Sequence, residues 1–166
     1  MSAFENDFFE MLAGSTEAFE NVYREISRPL FTYVYRIVQN KSDAEDIVQD
    51  VFVDVIRGKP LKARNPKSYM YRIAHNKAAD LLSAKTCGEE LDEETPDNTD
   101  VERESADRIA LEAALRRLSV KEREVISLHL NSGLTFREIS GITGEPVGTL
   151  LWRYSGAIKK MRRYLS

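Results

Sequence analysis

Asp46, Gln49, Asp50, Val53 and Asp54 recur at a spacing that puts them on one side of a helix. Carboxylates gathered in this way repel a polyanion. They suit a basic protein partner, or they simply stay solvated. The other side of the same helix carries Ala44, Ile47, Val48, Val51 and Val55 at i, i+3, i+4, i+7 and i+11, a stripe that predicts burial. Ser42 and Glu45 have the S-x-x-E spacing of a capping box, which predicts that this helix starts at Ser42.

Two further groups have the opposite chemistry. Ser68, Arg72, His75, Asn76 and Ala79 share a helix face, with Tyr69 and Tyr71 at its edges. Cations and an amide beside aromatic rings can neutralise a backbone and stack unpaired bases, as single-stranded DNA requires. The loop before them holds Arg57, Lys59, Lys62 and Arg64, and such a loop can close over an unstacked base. Tyrosines at helical spacing are, equally, ordinary core residues. Near the C-terminus, Thr149, Trp152, Arg153, Gly156 and Lys160 lie on one side of a helix whose other side is Val147, Leu150, Tyr154, Ala157, Ile158 and Met161. An exposed helix face of this kind fits the major groove. Arg137 suits a phosphate, and Lys159, Lys160, Arg162 and Arg163 add attraction that does not depend on sequence. A solvated basic helix end is the plain alternative.

Nothing in the chain calls for catalysis. His75 and His129 are the only histidines and Cys87 is the only cysteine. Neither histidine has a third metal ligand at suitable spacing, so no metal is expected. No nucleophile–base arrangement and no glycine-rich phosphate loop is present, so neither an enzyme nor a cofactor is expected.

The elements that must position these groups are helices. Phe19, Val22, Tyr23, Ile26, Leu30, Val34, Ile37 and Val38 mark a long helix or a pair, with Pro29 as a kink or boundary. Asn65-Pro66 supplies an N-cap followed by proline at the first helical position, for a helix to about residue 84. Helix resumes near Ala106. Ser119 with Glu122, and Thr135 with Glu138, form two more capping boxes. The first predicts a helix to about Leu130, closed by Gly133, and the second a short helix to about Ile142. Gly144 then turns the chain, and Pro146 is expected at the first position of the last helix, which runs to about Tyr164. A short helix, a glycine turn and a longer helix form a helix-turn-helix. The predicted fold is all-α, with small helical domains at 1–85 and 106–166.

Between them, residues 86–105 hold nine acidic side chains and one basic. Almost no large apolar residue lies there to offset chain entropy, so a disordered acidic linker is expected. The chain has 166 residues, is 42% hydrophobic and carries a net charge of −3. That total hides alternating blocks of −7 over 1–55, +7 over 56–85, −8 over 86–105 and +5 over 106–166. Two basic blocks separated by acidic ones suggest two DNA-facing surfaces. Glu5, Asp7 and Glu10 near the start are unlike a signal peptide, and no apolar run approaches a membrane span. A reduced, cytoplasmic protein is expected.

Three segments, in this order, resemble the extracytoplasmic-function group of sigma-70 RNA polymerase sigma factors. Phe19-x-x-Val22-Tyr23 and Asp43-Ala44-Glu45-Asp46-Ile47-Val48-Gln49-Asp50-Val51-Phe52 are similar to regions 2.1 and 2.2. Asn65 to Asp80 is similar to regions 2.3 and 2.4. Ala114-Leu115-x-x-Leu118-Ser119 through Ile126, then Leu134-Thr135-Phe136-Arg137-Glu138-Ile139 and Val147-Gly148-Thr149-Leu150, are similar to region 4. The resemblance implies a transcription initiation factor. Asp46, Gln49, Asp50, Val53 and Asp54 would dock on the clamp helices of core polymerase. Arg57, Lys62, Arg64, Tyr69, Arg72, His75 and Asn76 would bind the −10 element and assist melting. Arg137, Gly148, Thr149, Trp152, Arg153 and Lys160 would read the −35 element, while region 4 also touches the polymerase flap. It further implies a monomer when free, and an anti-sigma factor, often membrane-bound, as a partner. Departures from the family pattern are Tyr69 in place of Trp or Phe, Ser83 in place of Arg, Ser140 in place of Ala, and Leu151-Trp152 in place of Lys-Ser.

Two other readings remain at this point. A stand-alone helix-turn-helix regulator explains 106–166 and leaves 42–80 unused. A sigma-like interaction protein without promoter reading accounts for Leu151 and Trp152.

Overall fold

The computed structural model describes residues 1–87 and 105–166, and every regular element among them is helical. The expected linker therefore lies, over 88–104, outside the described residues. Helix α1 (Ala3–Leu12), which the sequence reading did not delimit, is capped by Ser2 and buries Phe8, Met11 and Leu12. It packs on α2 (Thr16–Val38), capped by Ser15. Pro29 lies inside α2 and does not end it. A proline removes one N–H but leaves its neighbours' burial intact, and here Ile26, Leu30, Tyr33 and Val34 are all buried around it. Gln39 closes α2 in the left-handed region at φ 58°, its amide donating to the Arg36 carbonyl at 2.8 Å.

Helix α3 (Lys41–Gly58) begins one residue earlier than the Ser42–Glu45 spacing predicts. Asn40 takes the capping role, its Oδ1 accepting from the Asp43 N–H at 2.9 Å. Asn is at least as good a cap as Ser, so the outcome follows from side-chain competition at adjacent positions. The core stripe is as expected, with Ala44, Ile47, Val48, Val51 and Val55 all buried. Helix α4 (Pro66–Cys87) starts at the expected cap, Asn65 Oδ1 accepting from Ser68 N–H at 3.1 Å. It runs past residue 84 to Cys87.

The second half holds α5 (Ala106–Arg116), α6 (Val120–Ile126), α7 (Phe136–Thr143) and α8 (Val147–Leu165). Both expected capping boxes are present, at Ser119–Glu122 and Thr135–Glu138. Helix α6 does not continue regularly to Leu130. Residues Ser127–Asn131 widen into a π-helical turn, closed by the Ser132 N–H on the Ser127 carbonyl at 3.0 Å. Pro146 caps α8 from outside rather than opening it, so Val147 is the first helical residue. Val147 is 37% exposed, and the predicted buried stripe is confined to Leu150, Ala157 and Met161, with Tyr154 and Ile158 half-buried.

The two halves pack on each other: α2 against α6, and α4 against α7. Buried residues of both, from Tyr33 and Tyr71 to Leu128, Leu134 and Leu150, form one continuous core. A second, smaller core of Ala114, Leu115, Leu118, Ile126, Ala157 and Met161 ties α5 to α8. Burying each large side chain contributes roughly 1.5–3 kcal/mol, so the shared core is the main force holding the halves together.

Candidate polymerase and nucleic-acid interfaces

The acidic face of α3 is fully presented. Asp46, Gln49, Asp50, Val53 and Asp54 are all exposed. Val53, one of the expected residues, and Ile56, which the sequence reading left out, are each about two-fifths exposed and add apolar area to this surface. Two lysines of α4 brace its edge, Lys77 on Asp54 at 2.9 Å and Lys85 on Asp43 at 2.7 Å. The site thus combines carboxylates with desolvatable apolar area, the composition of a protein-docking patch.

The basic face built by α4 and its preceding loop is divided. Arg57, Lys62, Arg64, Arg72 and Asn76 are exposed, with no ion pair among the described residues, and can meet a polyanion. Tyr69 is half-buried against the core. Tyr71 is fully buried, its ring 5.7 Å from that of Tyr33. This corrects its expected place at the edge of a base-stacking face. One residue along a helix turns a side chain by 100°, and Met70, Tyr71, Ala74 and Ala78 together face inward. Burial pushes the Tyr71 hydroxyl up to about 12, with Ser132 acting against it.

The remaining polar groups of α4 face the second half. His75 Nδ1 lies 2.8 Å from Glu124 Oε2, so the ring proton belongs on Nδ1. The same carboxylate oxygen accepts from the Tyr33 hydroxyl at 2.8 Å. The hydrogen bond between His75 and Glu124 raises the His75 pKa, against the lowering effect of burial and with the help of the Glu124 and Glu145 charges. Tyr33 is raised well above its ordinary value, by burial first and by Glu124 second. At the start of α4, Glu138 Oε2 accepts from Asn65 at 2.6 Å and from the Ser68 hydroxyl at 3.1 Å. Lys67 donates to the Ser132 carbonyl at 2.7 Å. Arg36, buried on α2, reaches Glu112 at 2.9 Å and Ser127 at 3.3 Å.

The helix-turn-helix is α7 and α8 with the turn at Gly144, whose φ of 80° favours glycine. Ser140 donates its hydroxyl to the Glu145 carbonyl at 2.6 Å, so this departure from the family pattern pins the turn. His129, Phe136 and Tyr154 form an aromatic cluster, with ring centroids 4.3 to 5.3 Å apart, that fixes α7 and α8 against the π-turn. On the outer surface Arg137, Gly148, Thr149 and Trp152 are exposed, Trp152 at 78%. Arg153 is held by Glu145, which also pairs with Lys121 at 3.2 Å. Burial alone would raise Glu145, but these two cations outweigh it and hold the carboxylate below its usual range. Lys160 is paired with Glu122 at 3.0 Å. Two of the six residues expected to read DNA are therefore engaged within the protein. Trp152, Arg153 and Lys160 also line a cleft of about 590 Å³ that ends on Val120 at the start of α6. No helix among the described residues is long and apolar enough to cross a membrane.

Comparison with known proteins agrees with this architecture. The sequence pattern of sigma-70 region 2 matches residues 22–86, and that of sigma-70 region 4 matches residues 108–161. The chain is 28% identical to the ECF RNA polymerase sigma factor BldN of Streptomyces coelicolor, over 92% of its own length and 62% of that protein's. It is 28% identical to RNA polymerase sigma factor SigZ of Bacillus subtilis, over 87% of this chain and 81% of that one. The fold is similar to that of sigma factor RpoE from Bartonella quintana, solved with the anti-sigma factor NepR. The TM-score is 0.76 at 22% identity, covering 90% of this chain and 98% of that one. It is also similar to CnrH, solved with the cytosolic domain of CnrY, at a TM-score of 0.72 and 20% identity over 99% and 97% of the two chains. With both regions matched in order on two packed helical units, the chain belongs to the extracytoplasmic-function group of the sigma-70 family.

Proposed function

We propose that the chain is a promoter-directing initiation factor, and not an enzyme. The exposed acidic face of α3 docks on the clamp helices of core RNA polymerase. The 57–65 loop and the free part of α4 hold the −10 element and assist melting. The outer surface of α7 and α8 meets the −35 element, and region 4 touches the flap. The observation that carries this reading is the ordered match to regions 2 and 4 over 22–86 and 108–161, with an exposed acidic surface in the first and an exposed helix-turn-helix in the second. A cytoplasmic anti-sigma factor, or the cytoplasmic part of a membrane-bound one, is the expected regulator. Its support is that RpoE and CnrH, which share the fold, were solved with such partners.

Adding the purified chain to core polymerase and a set of double-stranded promoter fragments tests the proposal, with run-off RNA as the readout. Transcripts that depend on the chain support it. One observation favours a second reading. Leu151 and Trp152 stand 46% and 78% exposed where polar contacts are usual, which suits a protein partner as well as thymine methyl groups. An interaction protein would form a complex with core polymerase and yield no transcript.

A further inference from the structure

The first two turns of α8 are apolar where they face outward. Val147, Leu151 and Trp152 are all exposed there. Among the described residues, only Met1 leaves a larger fraction of a large apolar side chain uncovered than Trp152. The last two turns carry Lys159, Lys160, Arg162 and Arg163, all exposed, and no acidic residue occurs anywhere in Val147–Leu165. In a helix-turn-helix, the N-terminal part of the second helix meets base edges. The polarity of α8 therefore sets apolar groups toward bases and cations toward phosphates. A helix with no carboxylate on any side suits a polyanion better than a protein surface of mixed charge.

The polar groups that could compete for the bases are committed elsewhere. Arg153 is bound to Glu145, which also holds Lys121 at 3.2 Å, and Lys160 is bound to Glu122 at 3.0 Å. Arg137 lies on α7, where it suits a phosphate. Thr149 and Trp152 remain. An indole has a single N–H donor and no acceptor. It cannot make the paired hydrogen bonds by which Arg recognises guanine or Asn recognises adenine. What it offers is a wide apolar surface, and the one apolar group on the major-groove edge of a base pair is the 5-methyl of thymine. Gly148 and Gly156 stand one turn before and one turn after Trp152. At neither does any atom beyond the helix's own backbone lie within 4 Å of where a Cβ would sit, so internal packing does not call for glycine. The pair keeps the helix surface low on both sides of the indole, which lets a base-pair edge come close.

We propose that Trp152 determines the specificity of α8 by packing on the 5-methyl group of a thymine in the −35 element. This rests on the reading of the outer surface of α7 and α8 as the −35 interface, and it adds the chemistry that the surface selects. The preference at that base pair follows the methyl group and not the hydrogen-bonding pattern.

The test uses the full chain with core polymerase and a pool of random double-stranded DNA. The most enriched duplex is resynthesised with deoxyuridine in place of one upstream thymine at a time. Uracil keeps every hydrogen-bonding group and lacks only the methyl. One such replacement is expected to weaken binding of the wild-type complex about fourfold, the value of one buried methyl group. With Trp152→Ala the two duplexes should bind equally, and Trp152→Phe should keep part of the preference. Trp152 is exposed, so neither change threatens the fold. An enriched upstream sequence without a uracil penalty, or with the same penalty in wild type and Trp152→Ala, overturns the role of Trp152 and leaves α8 as the −35 helix. An equal penalty together with weaker binding of Trp152→Ala to core polymerase makes the residue a protein contact, which also overturns the proposal. A pool that yields no enriched upstream sequence overturns the reading of α8, and the proposal with it.

Discussion

Tyr33 shows how much one atom can decide. Its ring is fully buried, and its hydroxyl donates to Glu124 of the other half at 2.8 Å. Tyr33→Phe removes that donor and leaves the Glu124 carboxylate with His75 alone. The expected cost is about 1–3 kcal/mol, seen as a lower urea midpoint with an unchanged slope. Arg137 is a residue of the opposite kind, exposed and without an ion pair among the described residues. Arg137→Ala should weaken binding to any promoter duplex and lower the slope of log affinity against log salt by about 0.9, the value for one phosphate contact. An unaltered slope in a salt titration would remove Arg137 from the interface. The sequence marked Arg137 and passed over Tyr33. That its hydroxyl has a partner 91 positions away could not be read from local spacing.

At the scale of single elements, α3 and α8 make separate claims. Helix α3 presents its carboxylates around Val53 and Ile56, so reversing one charge should harm docking more than deleting one. Asp50→Arg is expected to weaken core-polymerase binding about tenfold, mainly by slowing association, as a rim charge does. Surface plasmon resonance on immobilised core at two salt concentrations checks it. Helix α8 is held by few large anchors, of which Leu150 is 1% exposed. Leu150→Ala should cost about 2–5 kcal/mol through lost burial and a cavity. Thermal unfolding would show it, and −35 duplex binding would fail alongside. The sequence fixes the start of each of these helices to within a residue, because caps are contests between neighbours. It misjudged which sides of α4 and α8 are covered at Tyr71 and Val147. Those sides depend on which other helix arrives, and periodicity does not name the visitor.

At the scale of the whole molecule, the halves are joined through a histidine, which makes their union sensitive to pH. His75 faces Glu124 from α6 and the Tyr33 hydroxyl from α2, and it feels the charge of Glu145 from the turn before α8. Its pKa is raised in the packed state above the ordinary 6.5, first by the hydrogen bond to Glu124. A raised value means that protonated His75 stabilises packing fully below the ordinary pKa, and that this contribution is lost as pH rises through the raised one. The melting temperature should therefore fall as pH rises from the ordinary histidine pKa of about 6.5 through the raised one, and His75→Asn should flatten that fall. An equal slope in both proteins would assign the pH dependence elsewhere.

The sequence by itself determined most of the helical elements, the caps of α4, α6 and α7, the acidic and basic surfaces and the family. These depend on residues three or four apart, or on runs of charge, and both are local quantities. Only the tertiary structure decided that the halves share one core, that Glu124 and Glu138 rest on the α4 face, and that Arg153 and Lys160 are bound within their own half. Such contacts form between side chains whose meeting is set by how helices pack. Many pairings of the same charges are electrostatically acceptable, and shape selects among them.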